Sequence, residues 1–332
     1  MSLDIIRSHL RNGELELARH GAVAALTEVT GDESERGMLF GLLARVYTQL
    51  GRPSDAIEAA EKASERTDHW EVRLALGEAM LAIGEPVGAR AVLSEAFKRQ
   101  CAATGREADV LGEILLGSAL ADTSRAAGDP TAGLAIAERT VSMARTCTGS
   151  QSIETANSLL ALGMCLYGCG KVPEAKAALT EALEIRQDPS QPNPETIEVA
   201  AILDGLGIVA RARTRPFVAV KHHTEALRIW VKNLGPDAGP IGACRHSRAQ
   251  AIHRTGDFRA ALKEMEEAVR ITALTLGPDH VDTWIARFEY ARIDLDVGNI
   301  FEGMAGMQKA TAKVRKRLGS EHPVVAAMER FL

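Results

Sequence analysis

The chain has 332 residues, 46% of them hydrophobic but only 4% aromatic, with 44 acidic against 39 basic side chains and a formal charge of −5. The acidic balance argues against general nucleic-acid binding, which needs a basic field to displace counterions from phosphates. No apolar run reaches the ~18 residues that would suggest a membrane span, and Met1-Ser-Leu-Asp-Ile-Ile lacks the basic-then-apolar order of a signal peptide.

The charge is uneven. The first 166 residues carry 16 basic and 23 acidic side chains, and the remainder 23 and 21, which leaves room for a local anionic ligand in the second half. Ala and Leu supply most of the apolar content, which suits closely packed helices and suits sheets poorly. The cysteines, Cys101, Cys147, Cys165, Cys169 and Cys244, are odd in number. They make a poor disulfide framework and point to a reducing, cytoplasmic setting.

A glycine-led signature, Gly-x-x-x-x-Ala or a near variant, organises the chain. Its glycines are Gly13, Gly51, Gly84, Gly128, Gly170, Gly256 and Gly298, and Thr214 holds the place between Gly170 and Gly256. The successive spacings are 38, 33, 44, 42, 44, 42 and 42 residues. A period in this range marks a helical repeat array. In chain order, Leu43, Ala44 and Tyr47 precede Gly51, and Ala56 and Ala63 follow it. The stretch 152–185 shows a whole unit. Leu159, Leu162 and Leu166 recur at helical spacing, Gly168-Cys-Gly170 closes that helix, and Pro173 falls in the first turn of the next. Ala175, Leu179 and Ala182 form the second helix's inward stripe, and Gly163 lets the pair approach closely. Leu206 and Gly207 precede Thr214, with Ala219 and Ala226 after it. Ala249 and Ile252 precede Gly256, with Ala261 and Ala268 after it. Tyr290 and Ala291 precede Gly298, with Gly303 and Ala310 after it. Each unit is a helical hairpin that cannot bury its stripe alone and needs stacked neighbours.

The order Leu159, Leu162-Gly163, Leu166, Ala175, Leu179, Ala182 resembles the tetratricopeptide repeat (TPR). The later joints, Asn233-Leu-Gly-Pro-Asp237, Leu276-Gly-Pro-Asp-His280 and Leu318-Gly-Ser-Glu-His-Pro323, are similar to the longer, ~42-residue repeats of the kinesin light chain type. Two departures stand out. Leu160-Ala161 replaces the paired asparagines often found in that family's first helix, and Ala238 replaces one joint histidine. The resemblance implies an all-α fold, a right-handed superhelical solenoid of about eight helix-turn-helix units plus a C-terminal helix. The expected units are 1–31, 32–67, 68–105, 106–149, 150–190, 191–235, 236–277 and 278–319, with 320–332 as a terminal helix, in one domain spanning 1–332. The Pro-rich stretch 188–194 then reads as a long inter-repeat turn. The apolar end Phe331-Leu332 suggests either a longer parent chain or an oligomeric contact, since arrays need polar caps.

The resemblance also implies that the first helix of each unit lines a concave groove. Carried over unit by unit, the groove candidates are Asn157, Met164 and Tyr167, then Arg211, then His246, Gln250, His253 and Arg254, then Phe288 and Arg292. Leu160, Asp204, Ile208 and Asp296, and the earlier Arg45, Glu78, Asp122 and Arg125, occupy like positions. Guanidinium groups in the second half suit a carboxylate-bearing peptide. Met164, Tyr167, Ile208 and Phe288 are the apolar anchors expected beside them. The alternative is a solvated face whose charges pair internally with Asp204, Glu289 and Asp296.

His222-His223 point in different directions on a helix, so a shared metal is harder to form there than a structural role for His223. Cys165 and Cys169 lie four apart, but no second Cys or His pair completes a zinc site, and they read as small hydrophobes. His280 and His322 read as joint residues that cap helices. No phosphate loop, nucleophile elbow or zinc-protease motif occurs, so neither catalysis nor a metal or cofactor is expected.

The functional expectation is a scaffold or adaptor that binds a protein or peptide segment, acidic or carboxylate-bearing, without nucleic acid or membrane. Three alternatives stay open: a ligand-sensing region of a larger signalling protein, an enzyme or enzyme subunit with an unrecognised site, and a homo-oligomer.

Overall fold

The computed structural model describes residues 2–29, 31–103, 109–189 and 193–332. The described residues form seventeen α-helices and no strand. They fall into two compact units, Met1–Val209 and Ala210–Leu332.

The first unit holds five helical hairpins: α1 (Leu3–Arg11) with α2 (Leu15–Glu28), α3 (Glu33–Gln49) with α4 (Pro53–Ser64), α5 (Trp70–Ala82) with α6 (Pro86–Ala102), α7 (Val110–Ala126) with α8 (Pro130–Cys147), and α9 (Ile153–Gly168) with α10 (Val172–Arg186). It ends within α11 (Ile197–Ala212), whose last residues belong to the second unit. That unit continues through α12 (Pro216–Leu234), the hairpins α13 (Gly239–His253) with α14 (Phe258–Leu276) and α15 (Val281–Val297) with α16 (Ile300–Leu318), and the short α17 (Pro323–Glu329). The repeat boundary expected at 105/106 lies outside the described residues, as do positions 190–192 of the Pro-rich stretch.

The periodic glycines do what their spacing implied. Gly13, Gly51, Gly84, Gly128, Gly170, Gly256 and Gly298 all have positive φ, between +68° and +113°, and each turns one helix into its partner. Thr214 takes the same left-handed conformation, φ +55°, and is the one non-glycine that does so among the described residues. A Cβ there crowds the backbone and costs roughly 1–2 kcal/mol. Proline then opens α4, α6, α8, α10 and α12, where its missing N–H is harmless.

Small residues set the spacing between paired helices. A Cβ on Gly163 of α9 would stand 2.6 Å from Leu179 Cγ of α10, and one on Gly77 of α5 would stand 2.4 Å from Leu93 Cγ of α6. Leu159, Leu166, Ala175, Leu179 and Ala182 form one core cluster, joined by Leu134 and Val141 of α8. Leu162, expected on the inward stripe, is only half-buried and packs at the edge of that cluster. In the second unit Ala249, Ala261, Met265, Ala268 and Ile293 join α13, α14 and α15.

The joint histidines are helix caps. His280 Nδ1 accepts from the Asp282 amide at 3.2 Å, and His322 Nδ1 accepts from the Val324 amide at 3.3 Å. His69 caps α5 in the same manner, accepting from the Glu71 amide at 3.3 Å. At the start of α13 Ala238 stands in this place and offers no side-chain cap. The residue two positions on is Pro240, which has no N–H, so a histidine there would find no donor.

Candidate functional site

In the second unit, contacts one repeat apart bring the first-helix candidates together. Arg254, just past α13, donates from Nη1 to the carbonyl of Arg211 at the end of α11, 3.4 Å away. His253 Nε2 lies 2.6 Å from Asp296 Oδ2, near the end of α15. Both pairs are separated by 43 residues, so the ends of three successive first helices share one surface.

The charges on this surface are partly satisfied within the protein. Arg292 grips Glu289 through Nη2 at 2.8 Å and Nε at 3.0 Å, and its guanidinium lies 5.8 Å from the Phe331 ring centroid. The internal pairing weighed as the alternative therefore holds for Arg292 with Glu289 and for His253 with Asp296. His246 retains some exposed surface, yet the packing around its ring is dense. Burial pushes its pKa below the ordinary imidazole value, Arg211 and Arg292 push the same way, and Glu289 and Asp282 oppose them. The ring is therefore neutral near pH 7. Gln250 Nε2 sits 3.1 Å from His246 Nε2, which fits an amide donating to the unprotonated ring nitrogen. Arg254 stays exposed, and Arg211 and Gln250 are half-buried.

Phe288 departs from its expected place. It is 2% exposed, packs with Trp284, Ala291 and Met307, and meets Phe331 edge-on at a centroid distance of 6.2 Å. Trp284 and Ala291 lie four residues before it and three after, so all three share the stripe that α15 turns inward. A side chain spent on the core cannot anchor a ligand.

In the first unit the three candidates have separate surroundings. Asn157 Oδ1 accepts from Arg186 Nη2 at 2.6 Å. Met164 rests where a Cβ on Gly205 would come within 3.2 Å of its sulfur. Tyr167 lies half-buried against the α8–α10 core. The structure also places polar groups that sequence reasoning did not combine. Arg45 reaches Glu78 at 3.0 Å, and Arg7 holds Glu71 at 2.7 and 2.9 Å. The 33 residues between Arg45 and Glu78 equal the Gly51-to-Gly84 spacing, a signal that would have revealed this pair. Arg125 turns back onto Asp122 at 2.6 Å.

The remaining candidates lie in the interior or at a helix end. His223 is fully buried, with Cys244 Sγ 3.9 Å from its Nδ1. Cys165 is buried, and desolvation together with nearby Asp122 pushes its thiol up to about 12. Cys169 is half-buried at the C-cap of α9. No described helix is long and apolar enough to cross a membrane.

Two family profiles, both described as tetratricopeptide repeat, match residues 47–100, 113–188 and 198–273, more than half of the chain. The protein belongs to the tetratricopeptide repeat family. Solved structures agree on the fold. The chain is similar to a Rap protein complexed with competence and sporulation factor, at 11% identity and a TM-score of 0.66, over 99% of this chain and 95% of that one. It is similar to the Cut9 and Hcn1 hetero-tetramer of the APC/C at 13% identity and a TM-score of 0.66, over 98% of this chain and 54% of that one. A single-residue variant of the nearly identical TPR-like repeats of a kinesin light chain-type protein from Podosopora anserina is similar at 20% identity and a TM-score of 0.51, over 63% of this chain and 98% of that one. No curated protein sequence matches the chain.

Proposed function

We propose that the protein is a non-catalytic interaction scaffold that holds a peptide or protein segment on the first-helix surface of its second unit. The observation that carries this reading is the shared surface built by Arg211, Arg254, His253 and Asp296, with Gln250 and His246 on the helix between. The exposed Arg254 guanidinium, on the helix end beside Arg211, suits a carboxylate-bearing segment, because its planar fork matches an acidic side chain or chain terminus. Gln250 adds a neutral donor. Arg292 contributes less to such a ligand than its charge suggests, since Glu289 already holds it.

The test is capture from native cell extract, comparing the parent with an Arg211→Ala/Arg254→Ala double variant, followed by mass spectrometry and by direct titration of the captured segment. A partner that binds the parent and loses most of its affinity for the folded double variant supports the reading. A partner held equally by both would move the interface off this surface.

A ligand-sensing regulatory array is the second reading. The likeness favouring it is to a Rap protein solved with competence and sporulation factor, and that likeness is one of fold. A ligand that changes the protease-cleavage pattern of both units, and not only of the contact surface, would favour sensing over simple scaffolding.

A further inference from the structure

A second feature, independent of the proposed peptide surface, lies inside the first unit. The turn at Gly13 comes round to the start of α11, where a Cβ on Gly13 would stand 3.4 Å from Thr196 Cγ2. The helices between these two points line a partly open cavity of about 70 Å³. Its walls include Arg45 and Gln49 of α3, Glu154 and Asn157 of α9, Arg186 at the end of α10 and Glu198 of α11.

The polar groups of this cavity are incompletely matched. Arg186 is only 3% exposed; its Nη2 binds Asn157, but its Nε has no hydrogen-bond partner among the described residues. Glu198 Oε2 stands 3.9 Å from Arg186 Nη2, too far for a hydrogen bond, and Oε2 likewise lacks a partner. Gln49 Oε1 is also buried and unmatched. Burial lowers the pKa of Arg186 and Glu198 and Glu154 raise it, with burial prevailing, so its charge is under-compensated. Buried polar groups are nearly always satisfied by protein, water or ligand. The residues that line the cavity thus carry one unmatched buried donor and two unmatched buried acceptors.

We propose that this cavity binds a small zwitterion of the α-amino-acid class, with its carboxylate on Arg186 and its ammonium on Glu198 and Gln49. The sign pattern selects the ligand. An inorganic phosphate would satisfy Arg186 but share the cavity with the carboxylates of Glu154 and Glu198. A simple cation would satisfy Glu198 but face Arg186 and Arg45. A zwitterion meets both signs at once and suits the volume, which otherwise holds on the order of five waters.

The experiment is isothermal titration calorimetry of the full chain with each of the twenty L-amino acids, and with acetate, methylamine and inorganic phosphate as single-charge probes. At least one amino acid is expected to bind saturably and more tightly than any single-charge probe. Arg186→Gln and Glu198→Gln should each weaken that binding by about tenfold or more, the loss expected for a buried charged contact. Helical content by circular dichroism checks that both variants fold, and Glu198→Gln serves alone if Arg186→Gln does not. Binding of no amino acid, equal binding by parent and folded variant, or equal affinity for acetate or phosphate would each overturn the proposal.

Discussion

His253 and Asp296 sit 2.6 Å apart at the ends of consecutive first helices, 43 residues apart in the chain. Their contact both ties α13 to α15 and occupies an imidazole on the proposed binding surface. Asp296 is well exposed, so the pair contributes little to stability, about 0–1 kcal/mol. Asp296→Asn should therefore leave the melting temperature nearly unchanged. It should strengthen binding of an acidic probe, an octaglutamate peptide, by a few-fold, because one competing carboxylate is gone. Fluorescence anisotropy at low and high salt measures this. Unchanged affinity would mean that ligands do not reach His253.

Thr214 bears the strain that glycine avoids at the seven equivalent turns. Thr214→Gly should stabilise the second unit by about 1 kcal/mol, because relief of the left-handed Cβ penalty exceeds the added freedom of the unfolded chain. The reverse change at an equivalent turn, Gly256→Thr, should destabilise by a similar amount. Urea midpoints of the two variants against the parent test both signs.

The histidine caps give a paired prediction. His280→Ala removes the acceptor for the Asp282 amide and should cost about 0.5–2 kcal/mol. Ala238→His adds the joint histidine where Pro240 offers no N–H, so it should bring no gain. Thermal denaturation of both variants checks this. A stabilised Ala238→His protein would show that the joint histidine works through some other contact.

His246 supplies a pH dependence. Its folded pKa lies below the ordinary value of 6.5, with burial as the largest cause. As pH falls through 6.5 the unfolded chain takes up this proton first, so the contribution of neutral His246 is complete above that pH and is lost as pH drops toward the lowered folded value. His246→Gln should flatten the acid-side decline in stability that begins below about pH 6.5. Urea denaturation at half-unit pH steps gives the slope, and identical slopes for parent and variant would refute the assignment.

The sequence by itself determined the hairpins and where each one turns, because those depend on short-range chemistry. A glycine can take positive φ regardless of what surrounds it, a proline can open a helix wherever it falls, and stripes such as Leu159, Leu166, Ala175 and Leu179 mark the buried face by spacing alone. Family resemblance then named the first helices as the binding face. The tertiary structure decided which charges on that face are spoken for. Arg292 with Glu289 sits within one helix turn and was within reach of a sequence argument. Arg186 with Asn157 depends on how the two helices of one hairpin pack, and His253 with Asp296 on how one hairpin is rotated against the next. Phe288 shows the same limit: its groove position by register became a core position because α15 is rolled to bury it with Trp284 and Met307. Rotations of this kind arise from the packing of many small side chains at once, such as Gly163 against Leu179, and a residue pattern read along one helix does not contain them.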